Sequence, residues 1–156
     1  GDDPADEVLM MLTANPGTPP APLSKIASGG ELARTMLAIR LVLTQGPPVL
    51  VFDEVDAGIG GAAANSMAAS LARLAKMHQI FVVTHLAQVA AVADQQVAVS
   101  KEVVTRSGSE VTIASASPVA GSHRVDEIAR MLSGRPDSAA ARRHAKELLE
   151  SSSITP

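Results

Sequence analysis

Apolar residues fall along this chain in two spacings. Leu32, Met36, Ile39 and Leu43 recur at i, i+4, i+7 and i+11, which predicts one face of a helix over residues 28–45. Ser28 and Glu31 stand in the S-x-x-E relation of a capping box at its start, and Gly46-Pro47-Pro48 stops it. Val49-Leu50-Val51-Phe52 then forms a short continuous apolar run, the pattern of a strand buried on both faces. An alanine-rich helix follows over 62–77, with Met67, Leu71 and Leu74 at helical spacing. Ile80-Phe81-Val82-Val83 reads as a second buried strand, a short helix spans about 86–93, and Gln96-Val97-Ala98-Val99 reads as a third strand. Residues 102–117 read as a polar hairpin around Ser107-Gly108-Ser109. Two helices, about 124–132 and 138–150, are separated by Ser133-Gly134-Arg135-Pro136.

The ends are less regular. Val8-Leu9-Met10-Met11-Leu12 is a candidate short strand, and residues 13–22, with four prolines and a glycine, are a loop or linker. The organisation expected is an N-terminal strand and linker (1–22), one lobe (23–150) and a flexible tail (151–156).

Strand, helix, strand, helix, strand through the middle predicts an α/β fold with a mainly parallel sheet flanked by helices. The connection from Phe52 to Ile80 has the length of one right-handed βαβ unit. Parallel strands finish at the same sheet edge, so Asp53, Glu54 and His85 are expected together at the carboxyl edge, where ligands of open α/β sheets bind.

Composition narrows the function classes. With 156 residues, 46% hydrophobic and 19% charged, the chain can bury a core. A net charge of −3 and two aromatic residues, Phe52 and Phe81, argue against a basic groove or a base-stacking platform for nucleic acid. No apolar run has the length of a membrane span, so no membrane partner is expected. The absence of cysteine removes disulfides and thiolate metal sites and fits a cytoplasmic protein.

Three short stretches carry candidate chemistry. Successive residues at a strand end point to different sides, so Asp53 can hold a hard cation such as Mg²⁺ while Glu54 orients or deprotonates a water. The plain alternative is two solvated acids. His85 can touch a phosphate oxygen, act as a base, or merely cap the helix that follows. Ser28-Gly29-Gly30-Glu31 opens a helix whose free N–H groups attract anions, and glycine lets a phosphate approach the backbone. The plain alternative there is an ordinary capping box with a tight turn. No GxxxxGK[ST] loop occurs, so the main triphosphate cradle is not in this chain.

Taken in order, LSKIASGGELAR, VLVFDEVDAGIGG and VVTHLAQVAAVAD resemble the signature motif, the Walker B strand with its D-loop, and the switch-histidine region of the C-terminal half of an ABC-type ATPase head. Within that superfamily they are most similar to the SMC-like RecN family of bacterial DNA repair proteins. Thr13-Ala14-Asn15-Pro16-Gly17 and Val125-Asp126-Glu127-Ile128-Ala129-Arg130-Met131-Leu132 fit the same pattern, while Ala87 stands where the family's strings carry proline. The resemblance implies an ATPase in which Asp53 binds the Mg²⁺ of ATP, Glu54 activates the attacking water and His85 contacts the γ-phosphate. Ser28, Gly29 and Gly30 would touch ATP held by the opposite subunit, with Asp56 in the D-loop at the dimer interface. It further implies three partners: an N-terminal lobe bearing Walker A, a second copy meeting head to head, and DNA engaged by the intact protein. The location implied is cytoplasmic and nucleoid-associated. This fragment alone is expected to be inactive.

Other readings remain at this point. The chain could be the head lobe of another SMC-like or transporter ATPase, or a dimerisation module without turnover. A serine hydrolase built on Ser28, His85 and Asp53 is disfavoured, because no G-x-S-x-G elbow is present.

Overall fold

The computed structural model describes residues 9–13, 17–25, 28–43, 46–106, 109–135 and 138–153. The expected roles of Val8, Ala14-Asn15-Pro16, Ile26-Ala27, the Ser107-Gly108 turn, Pro136 and the last three residues of the tail lie outside them. The chain divides into two compact units: Gly1–Gly60 with Arg73–Thr84, and Gly61–Ala72 with His85–Pro156.

In the first unit, β1 (Met11–Leu12) pairs antiparallel with β2 (Ala21–Pro22), so the proline-rich stretch returns on the preceding strand. Pro22 lies on a two-stranded ribbon, where its missing N–H breaks no central ladder. Helix α1 (Gly29–Val42) begins at the expected cap, Ser28. Ser28 is extended, with φ −112° and ψ 123°, and its hydroxyl accepts from the Glu31 N–H at 3.5 Å.

The buried side of α1 differs from the expected stripe. Leu37 is 4% exposed, whereas Leu32, Met36 and Leu43 are exposed. The stripe was read from spacing alone, and what decides burial is which side of the helix other elements cover.

Strand β3 (Val49–Phe52) pairs in parallel with β4 (Gln79–Val82), Val51 opposite Phe81 and Phe52 opposite Val82. The expectation that β3 is buried on both faces is corrected. Leu50 and Phe52 are buried, while Val49 and Val51 are exposed, the latter at 69%. The pleat sends alternate side chains to opposite faces, and among the described residues only one face is covered. The second strand ends with the Val83 N–H donating to the Phe52 carbonyl at 2.9 Å.

Helix α2 (Gly61–Ala75) matches its reading, with Met67, Leu71 and Leu74 all buried. The second unit continues through α3 (Ala87–Ala91), β5 (Gln96–Arg106), β6 (Ser109–Val119), α4 (Gly121–Ser133) and α5 (Ala139–Ser153). The third strand is a further correction. Gln96–Val99 does not extend a parallel sheet but begins β5, which runs unbroken into the hairpin and pairs antiparallel with β6 from Gln96↔Val119 to Arg106↔Ser109. A local hairpin satisfies a long ladder at little loop-closure cost, so the parallel part of the described structure is the β3–β4 pair. The α/β class itself holds.

The core of this unit is assembled from small residues. Ala87, Ala90 and Ala91 of α3 meet Ile128 and Ala129 of α4 and Ala141 and Ala145 of α5. Alanines allow close helix approach, and Ile128 supplies the bulk. The Arg124 guanidinium closes the C-terminal end of α3, its Nη2 donating to the carbonyls of Ala90, Ala91 and Ala93 at 3.0, 3.2 and 2.5 Å. Gly134 ends α4 in the left-handed region at φ 72°, with its N–H on the Arg130 carbonyl at 2.7 Å. Ser151 to Ser153 form the last turn of α5, where the hydroxyls of Ser151 and Ser152 donate to the Leu148 carbonyl at 2.9 and 2.7 Å. Among the described residues, no helix is long and apolar enough to cross a membrane.

Candidate functional site

The carboxyl end of β3 delivers Asp53 and Glu54 directly into a turn, and both are exposed. Glu54 has φ 57°, the left-handed conformation that a side-chain-bearing residue adopts at a cost of about 1–3 kcal/mol. The turn tightens behind it. The Ala57 N–H donates to the Glu54 carbonyl at 3.0 Å and the Ile59 N–H to the Asp56 carbonyl at 3.2 Å.

This bend carries the Glu54 carboxylate to the first turn of α1. Its Oε2 lies 3.1 Å from where a β-carbon on Gly29 would stand. A β-carbon on Gly30 would meet the Ala57 β-carbon at 2.9 Å, the Arg34 Nη1 at 3.0 Å and the Ala57 carbonyl at 3.1 Å. The glycine pair therefore lets the turn after β3 sit against the helix start. Ser28 is exposed and its hydroxyl caps the helix. A cleft of about 360 Å³ lies between α1 and β3, bordered by Gly29, Met36, Arg40, Val51 and Asp53.

Asp56 is placed differently from its neighbours. It is 2% exposed, and the Thr84 hydroxyl donates to its Oδ2 at 2.5 Å. A buried carboxylate needs such donors, so Asp56 holds the turn from inside the first unit, to the end of β4. Parallel pairing brings the ends of both strands, Asp53 and Thr84, to one edge. His85 follows Thr84 in the chain, is exposed, and belongs to the second unit.

Among the described residues, no group of three or more histidine or acidic side chains is gathered to hold a metal by itself. Asp53 suits a Mg²⁺ that takes one carboxylate from protein and its remaining ligands from phosphate and water.

Arg34 and Thr84 are the residues of this region that the sequence reading passed over. The Arg34 Nη1 donates to the carbonyls of Ala57 at 2.8 Å and Val55 at 3.3 Å. Its one sequence cue is position, a helical turn beyond Gly30 on the same helix.

No family model matches this chain. Curated relatives do. The DNA repair protein RecN of Streptomyces coelicolor is 51% identical over 155 residues, covering 96% of this chain and 26% of its own length. RecN of Deinococcus radiodurans is 53% identical over 144 residues, 92% of this chain and 24% of its own length. RecN of Treponema pallidum is 49% identical over 146 residues, with shares of 92% and 25%. The chain thus spans about a quarter of the length of these relatives. A solved chain from work on "ATP-driven dimerization and DNA stimulated activation of SMC ATPases" is 27% identical, with a TM-score of 0.40 over 63% of this chain and 59% of its own. On sequence identity along nearly its whole length, the chain belongs to the RecN family and corresponds to a C-terminal part of its members.

Proposed function

We propose that this chain supplies the signature helix and the acidic strand edge of a composite ATP-hydrolysing site in a RecN-length protein acting in double-strand break repair and recombination. The observation that carries the reading is the parallel β3–β4 pair, which ends at Asp53-Glu54 on one strand and Thr84 on the other, beside the capped glycine start of α1.

Within that reading, Asp53 would hold the Mg²⁺ of ATP. The cation neutralises phosphate charge. Glu54 positions the attacking water and takes its proton. His85 contacts the γ-phosphate. Ser28, Gly29 and Gly30 present the helix N-terminus to the γ-phosphate of ATP bound by a second copy, and Asp56 anchors the turn that meets that copy. An N-terminal lobe carrying Walker A supplies the primary cradle, because this chain contains no GxxxxGK[ST]. DNA is engaged by the intact protein, in the cytoplasm at the nucleoid, since this segment carries a net charge of −3.

The test is ATP turnover by the RecN-length protein with Glu54→Gln. Loss of a general base lowers kcat by about 100-fold or more. Turnover equal to the parent would remove Glu54 from the chemistry.

A further inference from the structure

We infer that Arg34 is a positioning residue that couples the phosphate-facing start of α1 to the acidic turn after β3; this rests on the composite-site reading above. The guanidinium donates to two main-chain carbonyls of that turn, Ala57 at 2.8 Å and Val55 at 3.3 Å. Those carbonyls flank Asp56, and that of Val55 directly follows Glu54, whose φ of 57° is a strained conformation held only by its surroundings.

The side-chain geometry suits this work. Both bonds come from one charged nitrogen, Nη1, and bonds from a charged donor are the stronger kind. Arg34 sits one helical turn from Gly30 on a rigid helix, so a displacement of the helix start is passed to the turn through it. The missing β-carbon at Gly30 clears the way, since one there would lie 3.0 Å from Nη1 and 2.9 Å from the Ala57 β-carbon. Thr84 ties the same turn from the other side through Asp56. The segment bearing Asp53, Glu54 and Asp56 is thus clamped between α1 and the end of β4. Binding at the helix start then sets the position of the carboxylate that handles water.

The experiment compares steady-state ATP hydrolysis and thermal melting of the RecN-length protein as parent, Arg34→Ala, Arg34→Gln, Arg34→Lys and Glu54→Gln. A misplacement of about 1 Å costs on the order of 100-fold in rate, so Arg34→Ala and Arg34→Gln are expected to lower kcat about 10- to 100-fold. The KM for ATP should stay within about 3-fold, because binding that is equal in ground and transition states is untouched. Arg34→Lys keeps a charged donor able to reach one carbonyl and should recover most of the lost kcat. Should Arg34→Ala fail to fold, the Gln and Lys variants decide. Parental kcat in both, or equal loss in both, overturns the inference, as does a lowered melting point with unchanged kcat per folded molecule. If Glu54→Gln is impaired while the Arg34 variants are not, the coupling fails and the composite site stands. If the parent shows no Glu54-dependent turnover, both fail.

Discussion

The Glu54 carboxylate stands beside Gly29, its Oε2 3.1 Å from the place a β-carbon would occupy on that glycine. A carboxylate at a helix N-terminus is itself a favourable anion there. Glu54 therefore stands where a helix start favours a negative charge.

One consequence is that Gly29 and Gly30 respond differently to alanine. At Gly29 the obstructing atom is the far end of a flexible side chain, which can swing away. Gly29→Ala should change unfolding free energy by less than about 1 kcal/mol, the scale of the glycine–alanine difference in helix propensity. At Gly30 the obstruction includes the Ala57 β-carbon and carbonyl. Gly30→Ala should cost about 1–3 kcal/mol, as overpacking does. Denaturant unfolding of the RecN-length protein checks the order.

The bond from Thr84 to Asp56 gives a second prediction. Asp56 is 2% exposed, so removing a donor leaves its buried carboxylate less compensated. Thr84→Val, close in shape, should destabilise by about 1–3 kcal/mol. Thr84→Ser keeps the hydroxyl and should recover most of that. The comparison is of melting temperatures, and equal losses in both variants would assign the effect to packing instead.

Leu37 and Leu32 lie on one helix but should behave oppositely. Leu37 is 4% exposed and Leu32 43%. Leu37→Ala should cost about 2–5 kcal/mol, whereas Leu32→Ala should fall within about 0.5 kcal/mol. Ile128, 0% exposed among the alanines of α3, α4 and α5, is expected to match Leu37. Chemical denaturation of the four proteins, parent included, measures the contrast.

Much of this architecture was legible in the residues. The Ser28 cap, the parallel pairing implied by two apolar runs and a crossover, and the burial of Met67, Leu71 and Leu74 are all local or periodic signals, whereas α1 ends at Val42, short of the stop expected at Gly46-Pro47-Pro48. What escaped is non-local. Which side of α1 is covered depends on neighbours, so spacing picked Leu32 and Met36 over Leu37. The run Val49–Phe52 is apolar at every position, and nothing in it says that Val49 and Val51 stay exposed. The third strand was placed in the parallel sheet because Gln96–Val99 looks like its predecessors, although its ladder partners lie in β6.

The site was legible as residue types and order, not as contacts. Asp53 and Glu54 were read correctly as a strand end, and the glycine pair as a helix start. That the pair makes room for the turn after β3 depends on residues more than twenty positions away, Val55 and Ala57 on Arg34 among them. No spacing rule reports such a contact.

In the composite-site reading, a helix start reads a phosphate that another copy holds. The direct measurement is a structure of the RecN-length protein carrying Glu54→Gln, bound to ATP and Mg²⁺. The expected result is a dimer in which the amides of Gly29 and Gly30 of one protomer lie within hydrogen-bonding distance, about 3 Å, of the γ-phosphate bound by its partner. A fully loaded protein in which those amides face solvent or the protein's own side chains, away from any triphosphate, would contradict it.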